Sequence, residues 1–181
     1  MAVENFLMAA VREFNHRNYL PSMACACIAL DGTARIEIGG SPKNRCVKFL
    51  DRNIDIFCKV GFGGAIMAVP GGSFSLMNPK KPNETQDLKL IIYEAIRCTL
   101  LHEADLPAGV GFTEEAHFGG SESQFHIPIS LIPALFLATI GSPVNKGKKV
   151  DGTCEFRWDG GIIRIKDVMG DSSAIRKLLK I

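Results

Sequence analysis

The chain has 181 residues, 46% of them hydrophobic, enough to close a core without help from metals or disulfides. Its 21 Lys and Arg against 19 Asp and Glu leave a formal charge of +2, too little to mark nucleic acid or an anionic membrane as a partner. No apolar run reaches the roughly 20 residues of a membrane span; the longest, 127–140, is broken by Pro128 and Pro133.

The basic clusters are short (Lys43, Arg45 and Lys48; Lys80 and Lys81; Lys146, Lys148 and Lys149) and read as solvated loops. Of the six cysteines, Cys25, Cys27, Cys58 and Cys98 lie in apolar runs, and no cationic, apolar leader opens the chain. These features predict reduced thiols in a cytoplasmic protein, or in one exported without a cleaved signal.

Val3, Phe6, Leu7, Ala10, Val11 and Phe14 repeat at helical spacing and predict a first helix over 3–14. Pro21 presses the preceding residue toward extended geometry. The run 22–30, the pair Asp31-Gly32 and the alternating run 33–38 then predict a β-hairpin. After a turn at Gly39-Gly40-Ser41-Pro42, alternation of Ile54, Ile56 and Cys58 predicts a strand over 54–60, with 46–50 left open. Pro70-Gly71 suits a type II turn and predicts a second hairpin within 61–76. The segment 78–84 reads as an exposed linker.

Residues 85–99 carry the most regular pattern, with Leu88, Ile91, Ile92, Ala95, Ile96 and Thr99 on one stripe and Asp87, Lys89, Glu94 and Arg97 largely opposite. They predict a helix over 86–103, packed on a sheet, and a core holding Leu88, Ile92, Ala95, Ile96, Phe136 and Ile165. A short strand at 124–130 leads to a helix over 131–140 that is apolar on nearly every side, ended by Gly141, Ser142 and Pro143. A basic loop fills 144–152. A third hairpin spans 153–158 and 162–168 around Asp159-Gly160-Gly161, and Asp171 or Ser172 caps a closing helix. The order predicts one α+β domain over 1–181, with an antiparallel sheet built from hairpins and helices mainly on one face.

The candidate chemistry lies in 98–126, where three of the four histidines fall among glycines and carboxylates. His102, Glu103, Glu114, Glu115, His117 and His126 are the candidate catalytic groups, since histidine titrates near neutrality, at about 6.5, and a carboxylate beside it can serve as base or acid. Cys98 and His102 are spaced to share a helix face, and with His117 and His126 they make a candidate ligand set for zinc. The plainer alternative has His102 bonding helix-end carbonyls, Cys98 packing as a small hydrophobe and the loop histidines solvated.

Motif evidence for an enzyme is thin. His102-Glu103 opens a His-Glu-x-x-His helix, but Leu106 stands where the second histidine belongs. Gly61, Gly63 and Gly64 lack the helix start and the Lys-Ser or Lys-Thr pair of a phosphate loop. There is no Cys-x-x-Cys and no Gly-x-Ser-x-Gly. The sequence therefore favours a binding or assembly protein, acting on a protein partner or on itself. The alternative is a metal-assisted or cysteine-dependent hydrolase centred on 98–126.

Overall fold

Why the helix over 131–141 sits at the centre is plain from its composition: LIPALFLATIG has no charge, so no face of it gains from water. A computed structural model describes residues 2–64, 75–120, 124–158 and 161–181 and shows every residue of this helix buried. Pro133 falls in its first turn, where its missing N–H breaks no bond. Labelled in chain order, the helices are α1 (Val3–Asn15), α2 (Tyr19–Glu37), α3 (Pro42–Arg52), α4 (helical at Ile54–Ile56, π-helical at Phe57–Gly61) and α5 (Leu88–Ile91, π-helical at Ile92–Cys98, then Thr99–Glu103). The central helix is α6 (Leu131–Gly141), followed by α7 (Ile165–Val168) and α8 (Ser172–Leu179). Helices α1, α2, α4 and α8 pack around α6, and the buried side chains form one cluster running from Val3 to Leu179.

The fold is α+β, and among the described residues its strands form three small sheets. Strands β1 (Ser75–Asn78) and β2 (Lys81–Asp87) pair antiparallel. Strand β5 (Phe125–Pro128) lies between β3 (Val110–Thr113), parallel to it, and β4 (Gly119–Gly120), antiparallel. Strands β6 (Glu155–Trp158) and β7 (Gly161–Arg164) form the last antiparallel pair. Among the described residues no large sheet forms, and the core is mainly helical, with Phe125, Ile127, Phe156 and Ile163 added by the strands.

Several expectations hold. α1, β5 and α6 stand where the patterns put them. The third hairpin is present as β6–β7, but its second strand stops at Arg164 and 165–168 is the helix α7. The Asp171 carboxylate caps α8 by accepting from the Ala174 N–H at 2.9 Å. Leu88, Ile92, Ala95, Ile96, Phe136 and Ile165 are all buried. Helix α5 packs mainly on α2 and α3 rather than on a sheet; its start meets β1 and β2, and Gln86 Nε2 of β2 donates to Glu94 at 2.7 Å.

Three expectations are corrected. The predicted 22–38 hairpin is a single helix, α2. Pro21 sits in its first turn, where the N–H would be unpaired anyway. Asp31-Gly32 is not a turn, because Arg45 and Arg97 hold the Asp31 carboxylate at 3.0 and 3.3 Å while Gly32 and Thr33 are buried. The predicted strand over 54–60 is also helical, its bulky residues packing on α6, and Ser130 Oγ donates to the Gly61 carbonyl at 2.7 Å at its end. The predicted linker 78–84 forms the β1–β2 turn and most of β2. The Pro70-Gly71 turn lies outside the described residues.

The basic loop after α6 has a buried anchor, Asn145, whose Nδ2 donates to the Thr139 carbonyl at 2.7 Å and to Thr33 Oγ1 at 3.0 Å. Gly170, at φ +76°, passes so close to this turn that a Cβ there would collide with the Lys146 backbone. No helix among the described residues is long and apolar enough to cross a membrane.

Candidate ligand-binding clefts

The residues singled out from the sequence come only partly together. His102 and Glu103 are exposed at the end of α5, just before Ala104 turns the chain at φ +57°. Glu114 and Glu115 are exposed beyond β3, where the Glu115 N–H donates to Thr113 Oγ1 at 3.2 Å. His117 is exposed and His126 half-buried. Pairing of β4 with β5 brings their rings to 6.4 Å between centroids. Two imidazoles fall short of the three protein ligands of a catalytic zinc, and among the described residues no group of three or more His, Cys, Asp or Glu is placed to hold a metal ion.

Cys98 belongs to a different neighbourhood. It sits in the π-helical part of α5, where Arg97 Nη1 donates to its sulfur at 3.7 Å and the Arg97 guanidinium lies 5.4 Å from the centre of the Tyr93 ring. Burial pushes the nearby Cys46 thiol up to about 12 and raises Cys27 as well. All six thiols are free. Alkylation of the denatured protein without reductant therefore modifies six cysteines by mass spectrometry; two unmodified ones would reveal a disulfide absent from this structure.

A concavity with hydrogen-bonded walls lies elsewhere. With Val3, Leu7, Ala10 and Val11 buried, α1 turns Asn5, Met8, Arg12 and Asn15 outward at helical spacing, toward the arm leading into β6. A cleft of about 490 Å³ opens between them, with His16, Asp151, Thr153, Cys154 and Glu155 also in its lining. Two bonds tie its walls together: Asn15 Nδ2 donates to the Glu155 carbonyl at 2.8 Å, and the Asp151 N–H to Met8 Sδ at 3.2 Å. Asp151 also accepts from the Thr153 N–H at 2.9 Å and from its hydroxyl at 2.8 Å, which holds its carboxyl below the usual range. Burial, then the Asp151 charge, pushes the Cys154 thiol up.

A second cleft, of about 500 Å³, shares Asn15 and Glu155 with the first and extends to Arg17, Tyr19, Glu114 and Arg157 over Phe14, Ile129 and Phe156. The α1–α2 turn separates the two. Of the sequence-predicted residues only Glu114 lines either cleft, while His16, the one histidine outside 98–126, lines the first. A family model described as Rv1289 matches residues 2–181. The chain belongs to the Rv1289 family. No curated protein and no solved structure matches it. The Rv1289 match runs through both cleft walls, α1 and the 151–157 arm, so the clefts fall within the family's span.

Elsewhere, β7, α7 and α8 enclose a shallow groove whose lining includes Ile162 and Leu178, both exposed.

Proposed function

We propose that this chain is a non-catalytic binding protein that takes a small organic molecule in the two clefts flanking the α1–α2 turn. One observation carries the reading: the Asn15–Glu155 and Asp151–Met8 hydrogen bonds tie the walls of the first cleft into a preformed concavity. The first cleft gathers a cysteine, a histidine and an aspartate, the inventory of a thiol enzyme, yet Cys154 sits in an environment that opposes ionisation of its sulfur. Nucleophilic cysteines need the opposite, an electropositive and partly open setting that favours the thiolate. What remains is a cross-tied concavity of ligand size, with Met8, Ala9 and Val11 among its convergent polar groups, which suits binding. The hydrolase alternative at 98–126 has the His117–His126 pair in its favour, without a third ligand beside it.

Iodoacetamide labelling of the native protein at neutral pH tests the non-catalytic part: Cys154 should react more slowly than free cysteine. Faster labelling would overturn it in favour of thiol chemistry. Titration of isotope-labelled protein with small organic acids, amines and neutral aromatics tests the binding part. Amide shifts should concentrate at residues 8–19 and 151–157, and a complete absence of shifts there would sink the proposal.

A further inference from the structure

Building on the binding reading above, we infer that the second cleft is the specificity element and takes a small aromatic anion, an aryl ring carrying a carboxylate or phosphate. The cleft has two kinds of wall. Phe14, Tyr19 and Ile129 give an apolar wall with the buried Phe156 behind it, the Phe14 and Tyr19 rings packing on each other at 6.0 Å and a tilt of 56°. Flat rings are favoured against such a wall, because offset and edge-on contacts with existing rings add to the burial of apolar surface. Arg17 and Arg157 supply the other wall, and neither has an ion-pair partner among the described residues. Guanidinium groups present paired N–H donors that match a carboxylate or phosphate, and they lie flat against aromatic rings.

Arg17 is also held in an unfavourable place for an arginine. Its φ of +61° is in the left-handed region, where Gly or Asn is the usual choice. The turn is pinned on both sides: the Arg17 N–H donates to the Phe14 carbonyl at 2.9 Å, and Asn18 donates through its N–H to the Glu13 carbonyl and through Nδ2 to Glu13 Oε2, both at 2.9 Å. The fixed turn sets where the Arg17 Cα stands beside the aromatic wall, while its exposed side chain stays free to reach an anion in the cleft.

The cleft's acidic groups set the limits of this charge. Glu155 lies 3.7 Å from Arg164, which compensates it from outside the cleft, whereas Glu114 has no ion-pair partner among the described residues. Glu114 therefore opposes a simple anion and screens ligands by charge and shape.

Phenyl phosphate, phenylacetate and the neutral benzyl alcohol are the probes, with the intact chain titrated by calorimetry and by amide shifts. Either anion should bind more tightly than benzyl alcohol, and more weakly as salt rises. Arg17→Ala and Arg157→Ala should each weaken anion binding about tenfold, as for a lost charge-assisted hydrogen bond. Glu114→Gln should tighten it, an effect that damage to the fold would not produce. Equal affinity for benzyl alcohol, or anion binding indifferent to both arginine variants, would overturn the aromatic-anion assignment and leave the ligand to the first cleft. An absence of shifts at both clefts with every probe would overturn the binding reading itself, and this inference with it.

Discussion

Replacing Phe136 by Ala lowers the stability of the protein by roughly 3–5 kcal/mol, the range for deleting a fully buried phenyl ring. The ring is wholly inaccessible at the centre of α6. It meets Phe156 edge-on at 5.1 Å and 88°, and Phe14 at 6.0 Å and 78°. Truncation removes both aromatic contacts and leaves a void between α1, α6 and β6, which a close-packed interior closes only in part. Phe14 and Phe156 also line the second cleft, so the variant should bind small aromatic anions more weakly even where it stays folded. Urea unfolding checks the first effect and calorimetry the second. A stability loss under about 1 kcal/mol would mean that α6 is not the centre of the core.

What could be read from the sequence divides by physical cause. Where one face of an element is apolar and the other charged, as in α1 and the stripe Leu88, Ile92, Ala95 and Ile96, the period is unambiguous and the prediction holds. α6 was legible for a different reason, since a run with no charge must be buried whatever its period. The failures lie where both faces are apolar in composition, as in α2, whose half-buried outer face carries Ala24, Cys25 and Ile28. In α2, Ser22, Met23, Ala26, Cys27, Leu30 and Thr33 are all inside, so a run of small apolar residues fits a strand as well as a helix, and Asp31-Gly32 tipped the balance toward a turn. The same ambiguity hid the helix at 54–61. The candidate site suffered from distance along the chain. Asn15 and Glu155 are 140 residues apart, and nothing in either segment announces the other. One signal was available: His16 and Arg17 follow a strongly amphipathic helix at a point where the chain must reverse, and polar groups at such a corner end up beside whatever packs on that helix.

Replacing Asp31 by Ala should cost roughly 3 kcal/mol, at the lower end of the range for breaking a buried ion pair because the site keeps some solvent. Arg45 reaches Asp31 through Nη2 at 3.0 Å to both carboxylate oxygens, and Arg97 through Nη2 at 3.3 Å; the three side chains are 12%, 13% and 19% exposed for Arg45, Arg97 and Asp31 respectively. Burial opposes the Arg97 charge, and the Cys98 sulfur and the Asp31 carboxylate more than offset it, so its pKa is raised overall. Without the carboxylate two guanidinium groups are left facing each other away from bulk water, and Arg97 Nε already lacks a hydrogen-bond partner. The companion variant Asp31→Ala with Arg97→Met should recover part of the loss, because it removes one of the stranded charges. The exposed pair Lys81 and Glu84, about 60% accessible on both sides, serves as the contrast, and its removal should cost under about 1 kcal/mol. The Asp31 measurement also separates two architectures. In a hairpin turn Asp31 would point into water, and its loss would cost a few tenths of a kcal/mol, as for an ordinary surface substitution. In a helix clamped between α3 and α5 it is the carboxylate that two part-buried arginines share, and a loss of several times that size follows.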